Sequence, residues 1–176
     1  LERLIKSLEA EGLKDMRFPH GFLSSMATEL RDARWNVHLG YIDGPEAVFL
    51  APSARKDQYG LAVDIGTTTV VMYLVNLADG SLVDVGSTYN SQIRYGDDVI
   101  TRIMYATEAG GLKELQDTVV TDMNDLLMPM IEKHAIEEKN IDSVVISGNT
   151  TMTHLFWGLN PGFIREEPYT PTLNFF

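Results

Sequence analysis

The sequence of 176 residues contains no cysteine. This absence excludes disulfide bonds and any zinc or iron–sulfur centre that cysteine would hold within the chain. Disulfides are rare in cytoplasmic proteins, and a chain without cysteine fits that compartment. We therefore expect a cytoplasmic protein whose own residues hold no iron–sulfur cluster.

Positive charge is also scarce. The chain has 14 lysine and arginine residues against 25 aspartate and glutamate residues, which gives a formal net charge of −11. Proteins bind nucleic acids largely through phosphate contacts to a basic face, and the sequence shows no stripe of lysine or arginine. We therefore expect no nucleic-acid partner.

Long apolar runs are lacking as well. A membrane-spanning helix needs about 20 consecutive apolar residues, whereas stretches such as 144–146 are short and flanked by polar residues. Residues 1–10 form an amphipathic pattern with charges throughout, which is not the pattern of a signal peptide. We expect no membrane partner, and the 44% of hydrophobic residues is enough for a folded core.

Familiar catalytic patterns are absent from the sequence. It contains no Walker A loop, no Rossmann glycine fingerprint and no nucleophile–base pair of the serine or cysteine hydrolases. The histidines at positions 20, 38, 134 and 154 are scattered without metal-ligand spacing. Any chemistry must therefore come from less common motifs.

The first part of the chain predicts a small helix-plus-hairpin module. Apolar residues recur at helical spacing in 1–8 and again in 22–30. Residues 35–41 then alternate with period two, Asp43-Gly44 is a hairpin signal, and 47–50 is a returning strand. This pattern predicts an α+β module.

A polar connector at 52–58 marks the boundary, which predicts domains at 1–57 and 58–176. The second domain is predicted to begin with a three-stranded meander and to continue with alternating helices and strands, a mixed sheet covered by helices. This α/β order is that of a ribonuclease H-like lobe. The predicted strands are 60–65, 69–75, 81–89 and a buried apolar strand at 141–146; the predicted helices are 97–105, 112–134 (kinked or ended by Pro129) and 150–158.

The first candidate motif joins two of these strands. Asp64 ends an apolar run, which predicts a carboxylate near a largely buried edge, and Gly66 permits a close backbone approach. Thr67, Thr68 and Thr69 offer hydroxyls and successive N–H groups that can cradle phosphate oxygens. Asp64 would face the accompanying Mg²⁺ through water. The alternative is an ordinary β-hairpin with a turn glycine.

The second candidate motif follows the third strand, where polar side chains of an α/β sheet commonly form a site. It contains Asn90, Gln92 and Arg94, and then Asp97 and Asp98. Capping of the next helix is the alternative for at least one of the two aspartates.

The third candidate motif is the run Ser147-Gly148-Asn149-Thr150-Thr151-Met152, where a strand turns into a helix. A helix N-terminus after a strand can bind an anion. Helix capping by Asn149 or Thr150 is the alternative, and the two roles are compatible.

The three motifs together resemble the reductive activators of corrinoid proteins, a family of the sugar kinase/chaperone/actin superfamily. The runs are YGLAVDIGTTT at 59–69, NSQIRYGDDVITR at 90–102 and VISGNTTMTHL at 145–155, and the resemblance extends to about residue 171. Residues 1–50 are similar, more weakly, to the family's middle domain. The matching positions are Asp64, Gly66, Thr67, Thr68 and Thr69 for the first phosphate loop, Asn90, Gln92, Gly96, Asp98 and Arg102 for the second signature, and Gly148, Asn149, Thr150 and Thr151 for the third.

The resemblance implies ATP with Mg²⁺ as cofactor and a corrinoid protein as partner, and a homodimer is one assembly that it allows. Such proteins use ATP hydrolysis to help move an electron from an iron–sulfur cluster to Co(II) corrinoid, which gives Co(I) and restores methyl transfer in vitamin B12-dependent enzymes. One departure is that the family's Asn-Pro pair is Asn90-Ser91 here.

The resemblance also implies that this chain is a central fragment. The [2Fe–2S] ferredoxin and the second ATPase lobe of the family have no counterpart in the sequence, and the start at Leu1 and the end at 174–176 suggest a larger protein. We expect the fragment alone to be inactive and to bind ATP weakly. The alternatives are a small-molecule kinase of the same superfamily and a non-catalytic scaffold that docks a partner.

Overall fold

The computed structural model describes residues 1–42, 45–52 and 57–173. The chain divides into two compact units, Leu1–Lys56 and Asp57–Phe176. Within the described residues, no helix is both long enough and apolar enough to cross a membrane.

The first unit packs helices against a two-stranded antiparallel sheet. Its small core contains Phe22 and Leu30 from the second helix and Ala47 and Leu50 from the second strand. The apolar positions of each element therefore converge on one side, as their spacing predicts. The elements are α1 (Glu2–Ala10), α2 (His20–Asp32), β1 (His38–Ile42) and β2 (Glu46–Ala51).

The strand predicted at 35–41 begins three residues later, at His38. Arg34 and Trp35 have positive φ angles of 52° and 66°, a conformation that no strand contains. They end α2 instead, because the Trp35 N–H donates to Leu30 O at 2.8 Å. The predicted Asp43-Gly44 turn lies outside the described residues.

The second unit contains a mixed sheet in the order β5-β4-β3-β6, in which β3 and β6 are parallel and the other pairs are antiparallel. The predicted α/β class is confirmed. The strands are β3 (Tyr59–Ile65), β4 (Thr69–Asn76), β5 (Leu82–Tyr89) and β6 (Ile141–Gly148); the helices are α3 (Val99–Ala106), α4 (Gly111–Lys133) and α5 (Thr150–Trp157); short 3-10 turns span Ser91–Tyr95, Glu138–Asn140 and Gly162–Ile164.

Alternation along β3 gives the sheet one buried and one open face. Leu61, Val63 and Ile65 are buried, and they pack in one core with residues of α3, α4 and α5. Ala62 and Asp64 point to the opposite face and are exposed. The end of β3 therefore presents a carboxylate on the open face.

The strand predicted to be buried, β6, is an edge strand, and the prediction of burial is wrong. Val144 and Val145 are 51% and 65% exposed. In the described sheet β6 pairs with β3 alone, so one side of its backbone has no neighbouring strand. The apolar composition that indicated burial did not reveal this position at the edge.

The long helix α4 continues past Pro129 to Lys133. The prediction that Pro129 could end the helix is therefore wrong. Leu115, Val119 and Ile131 from both sides of the proline belong to the same buried core, and this packing favours the continued helix.

Asp84 links β5 to the end of α4. Its Oδ2 accepts a hydrogen bond from Lys133 Nζ at 2.9 Å and lies 2.8 Å from His134 Nε2. The hydrogen bond from Lys133, and then that from His134, lowers the pKa of the Asp84 carboxyl from 3.8 to about 2. A carboxyl whose pKa is lower in the folded state stabilises the fold above its unfolded pKa, and that contribution is lost as the pH falls through the folded pKa.

We therefore expect Asp84→Asn to lower the urea midpoint of unfolding at about pH 5, with a smaller effect as the pH falls from 3.8 towards about 2. Urea titrations followed by circular dichroism measure the difference. Asp125→Asn, which removes an exposed carboxylate of α4, is the matched control. A difference from the wild-type chain that grows on acidification would contradict the assignment.

Candidate functional site

The first motif forms the bend between β3 and β4, here called the β3–β4 bend (residues 66–69). The Gly66 N–H donates to Thr69 O at 2.8 Å and closes the bend. A Cβ at position 66 would lie 2.7 Å from Thr69 O, so this position requires glycine. Thr68 and Thr69 are exposed and Thr67 is half-buried. The predicted hairpin is therefore present, and its hydroxyl-rich tip is accessible.

Asn90 holds the bend from beneath. It is 0% exposed. Its Nδ2 donates to Gly66 O at 2.8 Å, and its backbone N–H donates to Thr68 O at 2.8 Å. The C=O and the following N–H of a trans peptide point in opposite directions, so the N–H groups of Thr67 and Thr69 point away from Asn90. The part of the chain that the structure describes offers no acceptor to the Thr67 and Thr68 N–H groups.

Gln92 lies in the layer beneath the bend. It is 1% exposed, and its Nε2 donates to Leu115 O of α4 at 2.8 Å. Its backbone N–H donates to Asn90 Oδ1 at 3.0 Å, which fixes the orientation of the Asn90 amide. Asn90 and Gln92 therefore support the bend and do not reach its outer surface.

Asp98 caps α3, as the capping alternative predicts. Its Oδ1 accepts from the Thr101 N–H at 2.9 Å, and the Thr101 hydroxyl completes a capping box. The Thr101 backbone hydrogen bond is the main cause that lowers the pKa of the Asp98 carboxyl. Asp98 thus has a structural role at the start of the helix that carries Arg102.

The third motif meets the first. Asn149 Oδ1 accepts from the Met152 N–H at 3.0 Å and caps α5, while its Nδ2 donates to Thr67 Oγ1 at 3.2 Å. Thr150 is exposed and Thr151 is buried. Their N–H groups, at the start of α5, have no acceptor among the described residues. Unpaired donors from two separate segments therefore lie on either side of the Asn149–Thr67 contact.

Gly148 closes the other side of this junction. A Cβ at position 148 would lie 3.0 Å from Ile65 O and 3.4 Å from the Met152 Cβ. The strand end of β6 and the strand end of β3 therefore approach each other closely. This approach brings the start of α5 beside the β3–β4 bend.

Asp64 is exposed, which corrects the expectation that its carboxylate lies near a buried edge. It is on the open face because it alternates with the buried Val63 and Ile65. Its Oδ1 accepts from Ser147 Oγ at 2.9 Å. Ser147, the first residue of the third motif, lies directly opposite Asp64 in the parallel register of β3 and β6, and its contact with Asp64 was not predicted.

These residues fit a magnesium ion that arrives with a phosphate ligand. The described residues contain no group of three or more histidine and carboxylate side chains that would hold a metal by themselves. Mg²⁺ keeps several waters and commonly binds through one or two carboxylates together with substrate phosphates. One exposed carboxylate beside unpaired N–H donors matches that requirement.

A cavity of about 430 Å³ lies beside α4, away from these donors. Arg94 lines it, donates to Thr118 Oγ1 at 3.0 Å and lies over the Tyr95 ring. Its other lining residues include the carboxylates of Glu114, Asp117, Asp122 and Asp125. The first and third motifs do not line this cavity; they form an open surface at the ends of β3 and β6.

Replacement of Gly66 by alanine tests the geometry of the bend. The added Cβ would meet Thr69 O at 2.7 Å, and we expect a loss of about 1–3 kcal/mol in the free energy of unfolding. Gly86→Ala is the control in the same sheet, because its Cβ would meet the flexible ends of Leu126 and Met130 at 3.3 and 3.4 Å. Equal urea midpoints for the two variants would show that the bend is looser than described.

With this geometry established, comparison with known proteins identifies the family. The sequence model of the family described as RACo middle region matches residues 59–176. The chain therefore belongs to this family, and the family predicted from the three motifs is confirmed. That description belongs to residues 59–176, whereas the resemblance placed the middle domain at residues 1–50.

Two relatives illustrate the similarity. The chain is 37% identical over 131 residues to the corrinoid activation enzyme RamQ of Eubacterium limosum, a match that covers 73% of this chain and 22% of the relative. It is 36% identical to a solved structure of a reductive activator for corrinoid, iron-sulfur protein, with a TM-score of 0.87, covering 99% of this chain and 29% of that one. The chain thus spans less than a third of either relative.

Proposed function

We propose that this chain is the phosphate-binding first lobe, with its preceding module, of an ATP-dependent reductive activator of corrinoid proteins. Two relatives with corrinoid activation or reductive activation in their names support the general function. In this proposal residues 58–176 form the first ATPase lobe and residues 1–57 form a separate module before it.

One observation carries the nucleotide part of the proposal. Asn90 donates to the carbonyls of Gly66 and Thr68, and the N–H groups of Thr67 and Thr68 at the tip of the bend have no acceptor among the described residues. The start of α5 adds the N–H groups of Thr150 and Thr151 beside them. Successive backbone N–H groups and a helix N-terminus are two established ways of binding phosphate oxygens.

Asp64 is proposed to bind the magnesium ion of the nucleotide through water. A bound Mg²⁺ would offset the negative charge of the phosphates. Ser147 holds one carboxylate oxygen of Asp64 at 2.9 Å, so the direction of the carboxylate is fixed before any ligand arrives.

In the proposed reaction of the whole protein, Co(II) corrinoid gains one electron and becomes Co(I), and a reduced iron–sulfur donor loses that electron. The chain has no cysteine, so the donor is proposed to lie on another segment or protein. ATP and water become ADP and phosphate in the same cycle. A corrinoid protein is the proposed partner, and the cytoplasm is the proposed location.

The test uses the gene product that contains this chain, purified whole and supplied with reductant and a corrinoid protein. Absorbance spectroscopy distinguishes Co(II) from Co(I) corrinoid. We expect Co(I) to appear when ATP and Mg²⁺ are both present and to stay near background when either is omitted. Equal Co(I) formation without ATP would contradict the proposal, and phosphorylation of an added small molecule would favour the kinase alternative.

A further inference from the structure

Arg102 is a buried cation on α3. It is 0% exposed, and its Nε donates to Gly96 O at 2.8 Å. Among the described residues no carboxylate lies within ion-pair distance of its guanidinium group, although Asp97 and Asp98 are near enough to influence it electrostatically. Arginine is almost never fully buried unless it is paired, so this position requires an explanation.

The guanidinium group connects α3 to the β3–β4 bend. Arg102 Nη1 donates to Gln92 Oε1 at 3.4 Å, and the same oxygen accepts from Asn90 Nδ2 at 3.3 Å. Asn90 Nδ2 in turn donates to Gly66 O at 2.8 Å. Arg102 is therefore the first member of a buried chain of contacts that ends on the carbonyl of the bend.

A second branch of the same group reaches α5. Arg102 Nη1 lies 3.6 Å from Met152 Sδ, and Asn90 Nδ2 lies 3.9 Å from the same sulfur. Met152 is the residue whose N–H is capped by Asn149. Arg102 thus touches the supports of both segments that supply unpaired N–H groups.

Burial of this cation is costly. Burial lowers the pKa of Arg102, while the charges of Asp97 and Asp98 act in the opposite direction. Nη2 is buried and has no hydrogen-bond partner in the described structure. An apolar side chain of similar volume would fill the space without burying a charge or an unpaired donor. Packing alone therefore does not account for an arginine here.

We propose that Arg102 is a positioning residue that holds the β3–β4 bend in its phosphate-binding shape through Gln92 and Asn90. Its consequence for nucleotide affinity rests on the function proposed above. Without Arg102 the Gln92 side-chain oxygen loses a donor, and the Asn90 amide keeps its bond from the Gln92 N–H but loses the support of a fixed Gln92 side chain. The Gly66 carbonyl is then free to turn outward, which turns the Thr67 N–H inward.

The test compares amide hydrogen exchange in three variants of the 176-residue chain. Arg102→Met removes the charge and all donors while keeping an extended side chain, and Arg102→Lys keeps the charge with a single donor group. Val119→Ala is the control, because it truncates a buried α4 residue of the same core that takes no part in the hydrogen bonds between Arg102, Gln92 and Asn90. The reporters are the Gly66 N–H, bonded to Thr69 O, and the Asn90 N–H, bonded to Thr68 O.

After correction for global stability, we expect exchange at Gly66 and Asn90 to be about tenfold or more faster in Arg102→Met than in Val119→Ala, with Arg102→Lys between them. Equal exchange in Arg102→Met and Val119→Ala would overturn the inference. If Arg102→Met does not fold, exchange at Gly66 and Asn90 must still be faster in Arg102→Lys than in Val119→Ala. Equal exchange rates in those two variants would then overturn the inference.

The same samples separate this inference from the proposed function. Addition of Mg²⁺–ATP is expected to slow exchange at Gly66 and Asn90 in the wild-type chain, and to slow it less in Arg102→Met. If Mg²⁺–ATP has no effect on the wild-type chain while Arg102→Met still loosens the bend, the nucleotide assignment fails and the positioning role stands.

Discussion

Asn90→Asp is expected to destabilise the second unit by about 2–4 kcal/mol and to abolish the proposed phosphate binding at the β3–β4 bend. The substitution keeps the shape of the side chain but replaces a donor by a charged acceptor. Asn90 Nδ2 lies 2.8 Å from Gly66 O, so an oxygen in its place would face another oxygen at that distance.

Three physical effects add at this position. The Gly66 carbonyl loses its donor, the carboxylate is buried at a site that is 0% exposed, and the Gln92 side-chain oxygen loses its 3.3 Å contact with the Asn90 amide. A buried group left unpaired costs about 1–3 kcal/mol, and a buried charge costs more. The Asn90 backbone N–H still bonds to Thr68 O, so the local chain path is retained.

Urea unfolding and titration with Mg²⁺–ATP measure the two consequences. Asn124→Asp is the matched control, because it makes the same chemical change at an exposed position of α4. If Asn90→Asp unfolds at the same urea concentration as Asn124→Asp, Asn90 does not hold the bend as described.

Asp64→Asn is expected to impair function with little effect on stability. The asparagine still accepts the hydrogen bond from Ser147 Oγ, which is 2.9 Å from Asp64 Oδ1. It lacks the negative charge that the proposed Mg²⁺ requires. We expect the whole gene product to lose about tenfold or more in affinity for Mg²⁺–ATP and a similar factor in the rate of Co(I) formation.

The control for Asp64→Asn is Asp57→Asn, which removes an exposed carboxylate two residues before the start of β3. Calorimetric titration at several Mg²⁺ concentrations separates loss of metal binding from loss of nucleotide binding. Wild-type affinity of Asp64→Asn for the nucleotide at every Mg²⁺ concentration would show that Asp64 is not part of the site.

Much of the second unit was predictable because its signals are local. The high density of β-branched residues at 60–65 and 69–75 predicted β3 and β4, and the Gly-Thr run between them predicted the bend. The helical spacing from residue 112 predicted α4, including its buried Leu115 and Val119. In each of these elements, the burial of one face decides the local structure.

The errors came from contacts between distant parts of the chain. Val144 is exposed because no strand lies beside β6 on its outer side in the described sheet. The local sequence pattern does not indicate which strand lies at the edge of a sheet. The support of the bend depends on contacts of Asn90 with Gly66, and the orientation of Asp64 depends on Ser147. The sequence placed these polar residues near strand ends but did not reveal which of them touch.

The same distinction applies to the roles of the site residues. In the sequence, a buried asparagine or glutamine and an exposed threonine are all polar residues that follow a strand, so their burial cannot be distinguished. The structure separates a supporting layer of Asn90, Gln92 and Arg102 from an outer layer of threonines and Asp64. The motif resemblance treats these positions as one group of site residues. Their different burial gives them different roles in the proposed function.

The most direct test of the central claim is a nuclear magnetic resonance titration of the 176-residue chain with Mg²⁺–ATP, up to about 10 mM because the expected affinity is weak. The account predicts that the amide signals of Thr67, Thr68, Thr150 and Thr151 shift with one common saturation curve. Movement of signals around the Arg94 cavity, while these four amides stay unchanged, would contradict it.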